Sequence, residues 1–137
     1  MVAYLDSSVV LRHILRGESS IRRALAFPRV VSSELLEIEC RRVLHRYRMS
    51  GDLTDEGVAT ASDRLETVLS GIDLFEMTAA VKKRAMEPFP VVIGTLDALH
   101  IATALLLSQT AGTASVFSHD AQMNVCARTV GLLAALA

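Results

Sequence analysis

The sequence predicts a single α/β domain, a three-layer α/β/α sandwich around a central, mostly parallel sheet. Three observations lead there. Short apolar runs of strand length alternate with helix-length amphipathic segments, the pattern of strands joined by crossover helices. The chain has 137 residues, the size of one domain, and contains no repeat, low-complexity stretch or linker, so residues 1–137 are taken as one unit. It is 51% hydrophobic with a mean hydropathy of +0.38, enough apolar material for a core and too much for intrinsic disorder. Tryptophan is absent and aromatics make up only 4%, so Leu, Val, Ile and Ala must build that core.

The elements follow in order. Residues 2–6 form a short buried strand ending in Asp6, and Ser7-Ser8 open a helix over 7–15 that Gly17 ends. A second short helix over 19–26 is broken by Phe27-Pro28, and 29–32 form the second strand. Ser33 caps a long helix to about 49, stopped by Ser50-Gly51-Asp52; Leu36, Cys40, Val43 and Tyr47 make its core stripe. Thr54 starts a helix to about 69, with Asp55 and Glu56 in the first turn, where the helix dipole favours acids. A strand over 72–77 leads to a helix capped by Thr78 and running to 86, and Pro88 and Pro90 bracket a loop. A strongly apolar helix over 95–108, a strand over 113–118, a helix over 121–130 and an edge strand over 132–136 complete the chain.

Composition excludes several classes. The N-terminus has no basic start, and Asp6 comes too early for a secretory signal. The longest apolar run, around 101–107, falls far short of the about 20 residues that span a bilayer. A cytoplasmic protein without a membrane role is expected. Cys40 and Cys126 have no close spacing partner, so neither a disulfide framework nor a zinc site is indicated.

The net charge of -1 speaks against a nucleic-acid binder, but its distribution is uneven. Residues 12–48 carry nine arginines and no lysine against four glutamates, whereas 49–137 carry five Lys/Arg against ten Asp/Glu. Two readings stand: an ordinary solvated surface, or a basic face suited to phosphate oxygens, which the planar guanidinium grips well.

Ligand sites of open α/β sheets form at the carboxyl ends of the strands. Asp6 ends the first strand, and Asp120 follows the strand over 113–118, so both fall on one sheet edge. Asp97 opens the apolar helix and shares a stripe with Ile101 and Ala104, a costly place for a carboxylate unless it is paired or bound to metal. Each Asp also suits the start of a helix, as a cap or a dipole partner. Glu39 flanks the core stripe of its helix beside Arg42 and Arg46, where an ion pair with Arg42 is the simpler reading; the helical wheel does not separate Glu39 from Glu37. Converged carboxylates repel unless a cation lies among them, and oxygen-only ligation suits Mg²⁺ or Mn²⁺ better than zinc.

Four segments carry a family resemblance. Leu5-Asp6-Ser7-Ser8, then Val30-Val31-Ser32-Ser33-Glu34-Leu35-Leu36 with Glu39 and Arg42, then Asp97-Ala98-Leu99-His100-Ile101-Ala102-Thr103-Ala104, then Val116-Phe117-Ser118-His119-Asp120 resemble, in order, the four motifs of PIN-domain nucleases. The length is similar to that of the stand-alone members, the VapC-type toxins of toxin–antitoxin pairs. The third motif and the overall order are the specific part. The resemblance implies a PIN-like fold and an Mg²⁺-dependent endoribonuclease, with Mn²⁺ as a possible substitute. It also implies a cognate antitoxin as partner, RNA as substrate and a homodimer. It selects Glu39 over Glu37 and implies that Asp6, Glu39, Asp97 and Asp120 hold one or two metal ions. Ser118 stands where the family has Thr or Ser, a hydroxyl that helps hold the site. Two features depart from the family pattern: His119 before Asp120, and a short tail after Gly131 that truncates the last strand.

The mechanism expected from this is in-line attack on phosphorus by a metal-activated water, leaving 5′-phosphate and 3′-hydroxyl ends. Ser7 orients a water or Asp6, or else serves as a helix cap. Arg42 and Arg46 bind substrate phosphates, or else make surface ion pairs. His100 is expected as a packed helix histidine, and His13, His45 and His119 lack metal-ligand spacing. The alternative is a non-catalytic RNA- or partner-binding module, which an incomplete acidic quartet would have favoured. A flap-type nuclease needs insertions that 137 residues leave no room for. A response-regulator-like domain needs a late lysine, and no Lys follows Lys83.

Overall fold

The computed structural model describes residues 1–136. Its elements are β1 (Val2–Leu5), α1 (Ser7–Arg16), α2 (Ile21–Leu25), β2 (Val30–Ser33), α3 (Leu35–Ser50), α4 (Asp55–Ser70), β3 (Asp73–Phe75), α5 (Ala79–Met86), α6 (Thr95–Ala111), β4 (Ala114–Phe117), α7 (Ala121–Thr129) and β5 (Leu133–Ala134). The strands form one sheet in the order β3-β2-β1-β4-β5, and every neighbouring pair is parallel. The α/β/α sandwich is as expected, and its sheet is parallel throughout rather than mostly so.

The layers follow from strand alternation. Successive side chains point to opposite faces, so β1 splits its apolar residues between two cores. Ala3 and Leu5 pack with Val9, Val10, Ile14, Leu36, Cys40 and Leu65, under α1–α4. Val2 and Tyr4 pack with Ile101, Ala104, Met123 and Cys126, under α6 and α7, while α5 lies against α6. A central strand buried on both faces reads as a continuous apolar run, which β1 and β4 both are.

The ends of the elements differ from expectation by one to three residues. The edge strands shrink most, β3 to three residues and β5 to two, because a marginal strand keeps only the part that has a ladder partner. Apolar α6 runs on to Ala111. Ser33 belongs to β2, although its hydroxyl still accepts the Leu35 N–H at 3.2 Å. In α3 the buried residue that follows Cys40 is Leu44, not Val43, and Tyr47 is only half-buried. The stripe keeps i, i+4 spacing because α3 presents one narrow face to the sheet and α4. Gly17 and Gly51 end α1 and α3 in the left-handed region, with φ of 68° and 84°, a conformation that costs a residue with a Cβ. Among the described residues no helix is long and apolar enough to cross a membrane.

Candidate active site

Parallel strands put the ends of β1 and β4 at one edge of the sheet. Leu5 lies opposite Phe117, so Asp6 and Ser118 leave the sheet side by side. Asp6 is 95% buried in residue terms, at 5% exposure, which demands partners for its carboxylate. It has two on a single oxygen: Ser8 Oγ and Ser118 Oγ each donate to Oδ2 at 2.7 Å. The Ser8 hydroxyl accepts the His119 N–H at 3.0 Å, and the Ser118 hydroxyl accepts the Asp120 N–H at 3.0 Å. The turn after β4 is thus tied to the acid that ends β1. Asn124, buried in α7, adds a third tie by donating to the Ser118 carbonyl at 3.0 Å.

Although Asp6 occupies the position just before α1, its side chain makes no cap hydrogen bond. Of the two competing expectations for this residue, the cap fails. Asp120 does cap: its Oδ1 accepts the N–H groups of Gln122 and Met123 at 2.9 and 3.2 Å. Asp97 lies half-buried in the first turn of α6. Its carboxyl is pushed up to about 6, first by burial and then by the charges of Asp6 and Asp120, with Glu39 adding to them and His100 opposing. Asp97 is thus the acid on which the charges of Asp6, Asp120 and Glu39 all act.

Glu39 does not pair with Arg42. Its Oε1 lies 2.5 Å from Nε2 of His100, which is fully buried on α6, and Nδ1 of His100 lies 2.8 Å from the Tyr4 hydroxyl. Glu37, the residue the wheel could not set aside, instead pairs with Arg41, which also binds Glu66. Cys40, beside Glu39, is buried, and its thiol is pushed up to about 12 by burial and then by the Glu39 charge, so it stays protonated. His119 hydrogen-bonds Ser20 at 2.9 Å, tying α2 to the site loop; burial, then the Arg12 charge, hold its imidazole below the usual range.

The contact to Asp6 falls on a different serine from the one expected. The hydroxyl that reaches Asp6 is that of Ser8, not Ser7; the adjacent serines lie about 100° apart around α1, and only one can face the carboxylate. Arg42 and Arg46 are exposed on α3, and Arg46 lies over the Tyr47 ring at 5.8 Å, so neither is spent on an ion pair with Glu39. Ser8, Asn124 and the His100–Tyr4 pair were not picked out by sequence reasoning. For Ser8, Asn124 and His100 the advance signal was a polar side chain within a helix, and for Tyr4 a hydroxyl within a buried strand.

The donors suit a hard divalent cation in kind. They are carboxylate oxygens, and Asp97 is raised by burial and then by the negative charges of Asp6 and Asp120, a setting in which a cation is favoured. Among the described residues no three His, Cys, Asp or Glu side chains close into a ready-made cage. One oxygen of Asp6, Glu39 and Asp120 is held by the protein in each case, which leaves the other for a ligand. Such a donor set suits a divalent cation held in part through water.

Comparison with known proteins defines the class. The PIN domain family model matches residues 3–128, and the chain belongs to the PIN-domain family. Within that family it is of the VapC type. It is 32% identical over 133 residues to Ribonuclease VapC46 of Mycobacterium tuberculosis, covering 94% of this chain and 92% of that protein. Two solved structures share the fold. One is VapBC2 from Rickettsia felis bound to a DNA fragment from their promoter, with a TM-score of 0.70 at 13% identity, covering 97% of this chain and 96% of that one. The other is PAE2754 from Pyrobaculum aerophilum, with a TM-score of 0.62 at 18% identity, covering 97% and 83%.

Proposed function

We propose that this chain is an Mg²⁺-dependent endoribonuclease, the toxin half of a VapBC-type toxin–antitoxin pair. The single observation that carries the reading is Asp97, half-buried on α6, whose carboxyl is raised by burial and then by the charges of Asp6, Asp120 and Glu39. The family match and the VapC46 relative support it.

Asp6, Glu39, Asp97 and Asp120 would hold the ion, in part through water. When bound, a divalent cation supplies a nucleophilic water of lowered pKa and offsets charge on the phosphate during in-line displacement. The chain's own residues do the rest. Ser8 and Ser118 saturate one oxygen of Asp6 and so fix the direction of the other. Arg42 and Arg46 contact substrate phosphates from the exposed face of α3, which positions the strand without reading its bases. Water as nucleophile leaves 5′-phosphate and 3′-hydroxyl ends and makes no use of the RNA 2′-hydroxyl. A cognate antitoxin is supported by the VapBC2 likeness, and a homodimer is expected from the family resemblance.

Mapping of RNA ends with wild type, Asp6→Asn and Asp97→Asn, in Mg²⁺ and in EDTA, tests this. Even outer-shell changes at metal sites cost about 10–100-fold. Each Asn variant is therefore expected to lose at least about 100-fold in rate. Cyclic 2′,3′-phosphate ends, or variants that cut at the wild-type rate, would refute the site. A wild type that binds RNA or antitoxin but never cuts would indicate the alternative, a non-catalytic module.

A further inference from the structure

His100 is the one fully buried imidazole in the described residues, and the cleavage chemistry gives it no task. Both ring nitrogens are nevertheless engaged. Tyr4, two residues before Asp6 on β1, meets Nδ1 at 2.8 Å, and Glu39 on α3 meets Nε2 at 2.5 Å. The Tyr4 and His100 rings pack edge-to-face, 5.8 Å apart and at 77°, which fixes the imidazole plane. His100 itself lies three residues after Asp97 on α6. One side chain thus joins three of the four elements that carry the acids.

The direction of the bonds follows from chemistry. The Glu39 carboxylate has no proton to give, so at that contact the Nε2–H of His100 is the donor. At the other nitrogen the Tyr4 hydroxyl meets Nδ1 at 2.8 Å, a contact in which a hydroxyl can serve as donor or acceptor. The hydroxyls around Tyr4 have other acceptors: Ser32 donates to the Leu5 carbonyl and Thr103 to the Leu99 carbonyl, both at 2.7 Å.

We propose that His100 is a positioning residue for Glu39. Resting on the reading of Glu39 as a ligand, its Nε2–H holds Oε1 and confines a flexible side chain to one rotamer, leaving Oε2 for the ion. Tyr4 holds the imidazole ring in place through its hydroxyl and the edge-to-face packing of the two rings. An orienting hydrogen bond from an outer group to a metal-ligating carboxylate is a general device for tuning such sites.

Two substitutions separate positioning from space-filling. His100→Gln puts an amide N–H near the place of Nε2 and keeps the donor to Glu39. His100→Asn puts an amide oxygen near the place of Nδ1, keeping the Tyr4 contact and losing the donor. Binding of Mn²⁺ alone, followed by the loss of free-ion paramagnetic signal, is read beside RNA cleavage and melting temperature. The Asn variant is expected to raise the half-saturating Mn²⁺ concentration about 10–100-fold, with kcat lowered and the KM for RNA unchanged. The Gln variant is expected to stay within a few-fold of wild type at a similar melting temperature. Equal effects of Asn and Gln, or losses that simply follow melting temperature, overturn the proposal. If both variants fail to fold, wild type decides: a slowly exchanging proton on Nε2 of His100 in ¹⁵N-edited spectra supports it, and a bare Nε2 overturns it. Should wild type bind Mn²⁺ in this His100-dependent way yet leave RNA intact, positioning stands and the nuclease reading falls. Should wild type cut RNA with Asn and Gln alike, only the positioning falls.

Discussion

Asp97 occupies the first turn of α6, where the helix dipole favours a negative charge, yet burial and neighbouring acids push its carboxyl up to about 6. Burial is the larger cause, and the charges of Asp6, Asp120 and Glu39 add to it. Stability is linked to this shift. Between roughly 4 and 6 the folded chain holds a proton on Asp97 that the unfolded chain has already lost, since the ordinary value is 3.8. Where the folded state binds more protons, stability falls as pH rises. Without metal, wild type is therefore expected to lose melting temperature across that window, and Asp97→Asn to lose less. At neutral pH the Asn variant is the more stable of the two and is inactive. Thermal melts in EDTA from pH 4 to 7 check this; parallel curves for the two proteins would show that Asp97 is not under strain. Added Mg²⁺ should lift wild type above the window and leave the variant largely unmoved.

Asp120 ties the site to an element. It caps α7 through Oδ1 while contributing charge to the acidic edge, and substitution can separate these roles. Asn is as good a cap as Asp, whereas Ala costs about 1 kcal/mol. Asp120→Ala is expected to lose about that much in urea unfolding and Asp120→Asn much less, with cleavage lost in both. Cleavage surviving in the Asn variant would reduce Asp120 to a helix cap. The same element scale shows what the sequence could reveal. Strand–helix alternation, the glycine stops and the threonine caps at Thr54 and Thr78 were legible because they are local, and both threonines do accept the expected N–H bonds. The choice of Ser8 over Ser7, or of Leu44 over Val43, was not, because one residue turns a helical side chain by about 100° and only the packed neighbour decides. The Glu39–His100 contact spans 61 residues, so no spacing rule reaches it. The family resemblance, not the helical wheel, singled out Glu39.

Across the whole molecule, folding redistributes the charge asymmetry seen along the chain. The arginine-rich first half folds onto the acid-rich second half: Arg29 pairs with Asp73, Arg41 with Glu66 and Arg48 with Asp55, while Arg12 meets Glu18 locally. The basic face expected from the sequence is therefore thinner than nine arginines suggest. Exposed ion pairs of this kind add little stability, but each one neutralises a guanidinium that would otherwise attract phosphate. Arg42 and Arg46 stay outside the ion pairs found among the described residues, on the helix that carries Glu39. This leads to a contrast that salt dependence can read. Each phosphate contact to single-stranded nucleic acid contributes a slope of about 0.7 to the fall of log affinity with log salt. Removing Arg42 and Arg46 together should weaken RNA binding and reduce that slope by about 1.4. Arg48→Ala, which breaks a pair with Asp55, should leave the slope nearly unchanged. Binding is measured with a cleavage-deficient Asp6→Asn background in EDTA, so that cutting and metal do not intervene. A double variant with the parental slope would place the phosphate contacts elsewhere, and an Arg48 variant with a reduced slope would mean that its ion pair opens for RNA.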